Sequence, residues 1–109
     1  MANNRERFNI YVIALDVDVM KNRKYREANR GYVEGKPCVC VGMTGRTPDE
    51  RFQQHENGYK SSRYPRKYGK YLRRKLFEHL NPMTYEQACK KEVELAKQLR
   101  KKGYGVWQK

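Results

Sequence analysis

"CVCVGMTGRTPDERFQQH", residues 38–55, begins as one kind of secondary structure and ends as another. Its first seven residues are apolar or small and include two valines, which is typical of a buried strand. We therefore predict a strand over residues 38–44. Gly42 interrupts the run of side chains, and a glycine inside a strand permits the close approach of a neighbouring group or a ligand.

The second half of this stretch carries the signals of a helix start. Thr47 offers a hydroxyl cap, and Pro48 follows where a missing N–H group costs nothing. The two acidic residues after it suit the positive end of the helix dipole. These features predict a helix over about residues 48–57, and Gly58 supplies its natural end.

The N-terminal part reads as a strand followed by a long connection. "FNIYVIALD", residues 8–16, is almost continuously apolar and β-branched, which predicts a central strand covered on both faces. Residues 17–37 are mostly charged, contain two glycines and a proline, and show no clear period. We interpret them as an inserted connection with at most one short turn of helix.

The C-terminal part contains a long helix between less regular segments. Residues 59–82 predict a short helix and then a short strand near "YLRRKLF", with breaks at Pro65 and Gly69. Thr84 with Gln87 three residues later is a capping-box pattern, so "YEQACKKEVELAKQLRKK" should be helical as far as Gly103. "YGVWQ", residues 104–108, then forms an edge strand.

These elements predict an α+β fold with a small mixed or antiparallel sheet of about three strands flanked by helices. A chain of 109 residues fits one domain, here residues 1–109 with the inserted connection at about 17–37. The start of the chain lacks the pattern of a secretory signal, and no segment is apolar enough to cross a bilayer. We expect a cytoplasmic protein with no membrane partner, whose three cysteines are reduced thiols without zinc-ligand spacing.

The charge predicts a polyanionic partner. Lys and Arg number 25 and Asp and Glu number 12, a net charge of +13 that attracts nucleic acid. Basic and tyrosine residues alternate after Gly58, a mixture that offers phosphate contacts and stacking surfaces. A solvated, partly disordered charge run, or a basic surface that docks an acidic protein, remains an alternative. The predicted nucleic-acid contacts are Arg46, Lys60, Arg63, Tyr64, Arg66, Lys67, Tyr68 and Lys70.

Glu92 falls within the apolar stripe of the long helix when residues are placed at about 100° intervals, whereas Glu94 points away. An isolated ionised carboxylate on a buried face is costly, so it must be paired, neutralised or bound to a metal. An ion pair with a buried base and a role as a hard-metal ligand both remain open. The stripe consists of Tyr85, Ala88, Cys89, Ala96 and Leu99.

Three further residues carry candidate chemistry. Arg51 and His55 are four apart and share a helix face. The arginine suits bidentate contact with a phosphate, but it could also be a surface residue, and for the histidine alone a satisfied structural role is favoured. Tyr11 lies in the middle of an apolar strand, where a packed core tyrosine is the usual outcome.

In their order along the chain, these residues resemble the GIY-YIG nuclease superfamily. "NIY" (9–11) and "CVG" (40–42) stand where the two name-giving motifs would be. "ERFQQH" (50–55) resembles the arginine-bearing helix of the family, and "ACKKEVELAKQL" (88–99) resembles the helix that carries its glutamate. The resemblance extends from residue 8 to about residue 107 and implies a GIY-YIG-like sheet.

The resemblance also implies a function and a site. It implies a divalent-metal-dependent endonuclease, acting on DNA in preference to RNA, with Glu92 as the ligand of Mg²⁺ or Mn²⁺. Arg51 would clamp the phosphate, Tyr11 would be the first-motif tyrosine, and His55 would help to arrange the site. A domain this small could act within a larger assembly.

Two positions depart from the family pattern with functional consequences. Cys40 stands where the second motif has a tyrosine that is often assigned the role of general base, and a thiol is shorter by a whole ring. Arg46 lies where the family has a lysine-bearing turn, and it could supply the missing cation. The alternative function is therefore a catalytically impaired or non-catalytic nucleic-acid-binding domain on the same fold.

Overall fold

A four-stranded mixed sheet forms the centre of the computed structural model, which describes residues 6–59 and 63–108. The strands are β1 (Asn9–Leu15), β2 (Cys38–Thr44), β3 (Gly69–Leu72) and β4 (Gly105–Gln108), in the order β3-β1-β2-β4. β1 pairs antiparallel with β2 and β3, whereas β2 pairs parallel with β4. The predicted α+β class is confirmed, with four strands where about three were expected.

The two central strands match the sequence prediction closely. β1 is buried from Ile10 to Leu15 and β2 from Cys38 to Gly42, so both faces of the sheet are covered. Their continuous apolar sequences reflect this double cover, since a strand exposed on one face would alternate with polar residues. β4 is an edge strand, as predicted.

The two helices that were predicted from their capping residues are both present. Helix α2 (Pro48–Glu56) begins with a complete capping box between Thr47 and Glu50. Helix α4 (Tyr85–Lys101) begins with the predicted box between Thr84 and Gln87. Gly58 and Gly103 follow the two helices with φ of +79° and +90°, a left-handed conformation that favours glycine.

The buried face of α4 is rotated slightly from the predicted stripe. Leu95 replaces Tyr85 as a core residue, and Tyr85 is 58% exposed with its ring edge against Phe8. Cys89 and Glu92 are only half-buried, at the margin between helix and sheet. The prediction that Glu92 lies fully within the buried stripe is therefore corrected, because the centre of the stripe runs through the residues Ala88, Leu95, Ala96 and Leu99.

The connection between β1 and β2 contributes to the core. It contains a 3₁₀ turn (Val17–Lys21) and a short helix, α1 (Arg23–Glu27). Val19 and Tyr25 are fully buried, and the Tyr25 hydroxyl donates a hydrogen bond of 3.1 Å to the carbonyl of Val39. The segment is therefore packed against the sheet, although its sequence shows no clear period.

The basic segment folds as helix α3 (Arg63–Tyr68) followed directly by β3. Pro65 does not break α3, because it lies in the first turn, where its missing N–H group has no helical partner to lose. β3 begins at Gly69, earlier than the strand predicted near residues 71–77. In that predicted range, only Tyr71 and Leu72 belong to β3, and a 3₁₀ turn (Arg74–Leu76) follows them. No helix in the described part of the chain combines the length and apolar composition needed to cross a membrane.

Candidate active site

Tyr11 is the centre of the candidate site. It lies in the middle of β1 directly opposite Gly42 of β2, and a β-carbon at position 42 would lie only 2.4 Å from the Tyr11 hydroxyl oxygen. The glycine therefore lets the tyrosine ring lie across β2. This position is one residue beyond Val41, where the pairing of β2 with β4 ends. Packing on this glycine holds the Tyr11 hydroxyl at a fixed position above β2.

The Tyr11 hydroxyl shares a hydrogen bond with His55. The oxygen lies 3.0 Å from the His55 Nε2 atom, and the two rings meet at 55°. Tyr11 is 1% exposed and His55 is fully buried. The expectation that His55 is a satisfied helix histidine agrees with this contact, and the contact also ties α2 to the central strand.

Charged and ionisable groups from three other elements act on the same phenol. Burial raises the pKa of Tyr11 well above its ordinary value, and the nearby Cys40 and, more weakly, Glu92 raise it further. The Arg51 guanidinium opposes them through its charge and through a hydrogen bond to the phenol. Cys40, Arg51 and Glu92, from three different elements, thus act on Tyr11 in addition to His55, and Tyr11 remains a neutral phenol at physiological pH.

Arg51 is held in a defined orientation on the exposed side of this group. Its Nη1 atom donates to the Gln54 side-chain oxygen at 3.1 Å and to the Tyr59 carbonyl at 3.2 Å. The side chain is half-buried, so the guanidinium combines fixed geometry with access from solvent. These are the features that a clamp for a phosphate requires, because a preorganised donor need not reorient when charge develops.

Glu92 lies at the half-buried margin of α4 and accepts a hydrogen bond from the Gln108 amide at 3.4 Å. No group of three or more His, Cys, Asp or Glu residues in the described ranges is arranged as a metal cage. This donor set of one carboxylate does not suit zinc, which takes several protein ligands. It does suit Mg²⁺ or Mn²⁺, since Mg²⁺ is commonly held by one or two carboxylates together with water and phosphate oxygens.

Cys40 is too deeply buried to act as the general base of the candidate site. It is 1% exposed in β2, between Ile13 of β1 and Trp107 of β4 in the strand pairing. A group that accepts a proton from an attacking water must touch that water, and a thiol this deeply buried does not. Cys40 is therefore a core residue, and its effect on Tyr11 is to raise the pKa of the phenol.

The predicted nucleic-acid contacts divide into exposed cations and packed rings. Tyr64 is 3% exposed, with Trp107 at 4.7 Å and Tyr25 at 5.5 Å between ring centroids, so its predicted role as a stacking surface is wrong. Tyr68 is half-buried and accepts a hydrogen bond from Asn22 at 3.0 Å. Lys60 lies outside the described residues. The exposed members of the predicted set are Arg46, Arg63, Arg66, Lys67 and Lys70.

Two features of the site were missed by sequence reasoning. Gln108 contacts Glu92, but its position in an edge strand gives no sign of a polar partner. Tyr59 supplies a backbone carbonyl to Arg51, and a backbone contact leaves no mark in the residue type. Gly42 is the exception, because a glycine within a strand of valines is itself a signal of close approach.

Comparisons of this chain with protein-family models, with curated proteins and with solved structures find no match. The interpretation of the site therefore depends on its own geometry and on the resemblance of its residues to the GIY-YIG pattern. That geometry places Cys40, Arg51, His55 and Glu92 near the Tyr11 phenol; Tyr11, His55 and Cys40 are buried, whereas Arg51 and Glu92 are half-buried.

Alkaline pH is expected to destabilise the protein through its buried tyrosines. Burial raises the pKa of both Tyr11 and Tyr25, so these phenols stay neutral in the folded chain while they ionise near pH 10 in the unfolded chain. Their contribution is complete below about pH 10 and is lost as pH rises towards the folded-state pKa, by about 1.4 kcal/mol per pH unit for each tyrosine.

Urea unfolding from about pH 9 to about pH 11 would measure this loss. The Tyr11→Phe and Tyr25→Phe variants serve as controls, because each removes one titrating phenol. Tyr11→Phe should be less stable than the parent at neutral pH by about 1–3 kcal/mol, since the buried hydrogen bond between Tyr11 and His55 is lost, yet its stability should fall less steeply with pH. An unchanged slope in both variants would contradict the assignment.

Proposed function

We propose that this protein is a divalent-metal-dependent endonuclease of the GIY-YIG type, hydrolysing phosphodiester bonds in nucleic acid, with DNA favoured over RNA. The observation that carries the proposal is the gathering of Arg51, His55 and Glu92 around the Tyr11 phenol. These residues come from three separate elements, and the sequence resemblance selects the same four. An ordinary hydrophobic core has no need of an arginine, a histidine and a glutamate around one buried tyrosine.

Arg51 and Glu92 are the residues that would touch the substrate, because both are half-buried. Arg51 would contact the scissile phosphate through its fork of N–H donors and stabilise the negative charge that grows on it in the transition state. Glu92 would hold Mg²⁺ or Mn²⁺ through its carboxylate. Such an ion, when bound, polarises the phosphate and lowers the pKa of its water.

Tyr11 and His55 act as a positioning pair in this proposal. Their shared hydrogen bond is buried, and the Tyr11 hydroxyl also contacts Arg51. A neutral phenol with a raised pKa is a poor proton acceptor, so its contribution is to fix the guanidinium and the α2 helix relative to β1. Tyr11 therefore has no role as a proton acceptor in this assignment; a divalent ion held by Glu92 would instead make its own water more acidic.

The wider properties proposed for the protein follow from charge and residue type. The net charge of +13 supports a nucleic-acid partner, and we propose residues 1–109 as one domain that could work within a larger assembly. The cysteines are free thiols, which agrees with the reducing environment of the cytoplasm.

A metal-dependence assay tests the proposed function. Purified protein would be incubated with single-stranded, duplex and branched DNA and with RNA, in the presence of Mg²⁺ or Mn²⁺ or of a chelator. We expect cleavage of at least one substrate with metal and none with chelator. A parallel preparation of Arg51→Ala controls for contaminating nucleases and should be slower by about 100-fold or more. Cleavage that survives the chelator, or equal rates for both preparations, would refute the proposal.

The burial of Cys40 favours a second candidate function. With no tyrosine at this position and a thiol that is 1% exposed, the chain could bind nucleic acid without cleaving it. This candidate predicts salt-sensitive binding with no cleavage of any substrate in the same assay. In this second candidate function nucleic acid remains the partner, and only the cleavage of the phosphodiester bond is absent.

A further inference from the structure

A second site lies at the far end of β1 from Tyr11, in a cavity of about 270 Å³. We call it the Lys70 pocket; its polar members are Asp16, Lys36, Lys70, Tyr71 and Arg73. Three of its walls come from different parts of the chain, namely the end of β1, the connection before β2 and the strand β3. The inserted connection, whose role the sequence left open, therefore builds one side of this cavity.

The charge of the Lys70 pocket is positive and available to a ligand. None of the ion pairs formed within the described residues involves Lys36, Lys70 or Arg73. Asp16 is the one acidic group of the pocket, and its carboxylate accepts a hydrogen bond of 2.9 Å from the backbone of Asp18. Three cations against one carboxylate leave a surplus that attracts an anionic group such as a phosphate.

Tyr71 adds a flat surface beside these cations. Its side chain is 54% exposed on the edge strand β3, and its partner across the ladder is Ala14, whose small side chain leaves the ring uncovered. Pro37 provides an apolar wall of the same pocket. A tyrosine face next to lysine and arginine side chains is the combination with which proteins bind single-stranded nucleic acid, through stacking of bases and neutralisation of phosphates.

We propose that the Lys70 pocket binds one nucleotide of a nucleic-acid strand, with the phosphate against Lys36, Lys70 and Arg73 and the base on Tyr71. The cavity volume, just below the range of about 300–1,000 Å³ that is typical of pockets for drug-sized ligands, suits the phosphate and sugar of one nucleotide, with the base outside it on the exposed face of Tyr71. Three or four residues of β1 separate Tyr11 from the pocket, about 10–13 Å at the rise of a strand.

The proposal rests on the proposed function for its partner, nucleic acid, but not on cleavage. The Lys70 pocket would anchor the nucleic-acid strand at a point away from the phosphate that Arg51 contacts. Loss of the pocket should therefore weaken binding and leave Arg51 and Glu92 unchanged. This separation makes the two proposals distinguishable in one set of experiments.

The test measures binding of a fluorescently labelled single-stranded oligonucleotide in the presence of a chelator. Tyr71→Ala should weaken binding by about fivefold or more, and Tyr71→Phe should retain it, because the ring face is kept. The double variant Lys36→Ala with Lys70→Ala should reduce the slope of log K against log salt by about 1.4, as expected for two lost phosphate contacts. Lys97→Ala, at an exposed position of α4, is the matched control and should leave that slope unchanged.

A cross-linking measurement covers the case in which a variant fails to fold. An oligonucleotide carrying photoreactive iodouracil should form its adduct with the peptide that contains Tyr71 in the wild-type protein. If the Tyr71 and lysine variants bind like Lys97→Ala while metal-dependent cleavage persists, the pocket proposal fails and the nuclease proposal stands. If the wild type binds no single-stranded oligonucleotide, the pocket proposal fails, and the cleavage assay on the other substrates decides the nuclease proposal.

The source of the nucleotide is tested by a competition arm. A nucleoside monophosphate should displace the oligonucleotide weakly, because a free nucleotide gains none of the contacts along the remaining strand. If it binds as tightly as the oligonucleotide and Tyr71→Ala abolishes that binding, the pocket serves a free nucleotide, and the assignment to a strand is overturned.

Discussion

Replacing Glu92 with glutamine is expected to reduce metal-dependent cleavage by about 100-fold or more, because a metal ion typically supplies several kcal/mol of transition-state stabilisation. Glutamine keeps the size of the side chain and its ability to contact Gln108, so the helix should remain in place. What it removes is the negative charge that a hard divalent cation requires. The rate is to be measured at saturating Mg²⁺ on the best substrate.

Glu94→Gln is the matched control for this variant. Glu94 lies on the same helix, and its replacement by glutamine removes the same charge. Its side chain is exposed, with the carboxylate 3.2 Å from the Lys91 ammonium. Exposed pairs of this kind contribute at most about 1 kcal/mol, so neither stability nor cleavage should change appreciably. Equal cleavage by the Glu92→Gln and Glu94→Gln variants would exclude Glu92 as the metal ligand.

A second readout separates metal binding from catalysis. Calorimetric titration of the parent protein with Mn²⁺ should show a site that is lost in Glu92→Gln and retained in Glu94→Gln. If Mn²⁺ binding survives in Glu92→Gln while cleavage is lost, Glu92 has a different role in the reaction. The two measurements together therefore test the ligand assignment without relying on activity alone.

The elements that the sequence predicted well are those with local signals. The capping boxes at Thr47 and Thr84 use side chains three residues apart, and the glycines that end these helices need a left-handed conformation that few other residues adopt. The two buried strands were predicted from continuous apolar runs for the same reason. In each case the information lies within about ten residues, and tertiary packing does not override it.

Tyr64 shows where local signals fail. Its neighbours in sequence are basic, which predicts an exposed face, but Tyr25 and Trp107 cover it from segments about forty residues away on either side. α3 has only six residues, too few to show which face is buried. Tyr71, in the same basic segment, is 54% exposed because β3 is an edge strand.

The candidate site was predictable as a set of residues and not as an arrangement. The order of the sequence motifs indicated Tyr11, Arg51 and Glu92, but the burial of the phenol and its bond to His55 depend on the register of β1 against β2. A shift of one residue would turn Tyr11 to the other face of the sheet. The same register pairs Cys40 with Ile13, in a strand whose burial the apolar run had already predicted.

Gly42→Ala is expected to disrupt the candidate site strongly, because the added methyl group would clash with Tyr11. The added carbon would lie 2.4 Å from the Tyr11 hydroxyl oxygen and 2.5 Å from the ring carbon that bears it. The ring is buried, so it cannot move into solvent, and we expect a loss of more than about 2 kcal/mol in the free energy of unfolding. Displacement of Tyr11 should also misplace Arg51 and lower cleavage by about 100-fold.

Gly31→Ala provides the control for Gly42→Ala, because a β-carbon at position 31 meets no atom within 4 Å. Its stability should stay within about 1 kcal/mol of the parent. The decisive comparison repeats Gly42→Ala in a Tyr11→Leu background, where the end of the ring that clashes is absent. If the clash causes the loss, the two substitutions should couple by more than about 1 kcal/mol in urea unfolding. An equal loss in both backgrounds would mean that the cost arises in the strand itself, and that the close approach of Tyr11 to Gly42 does not govern the site.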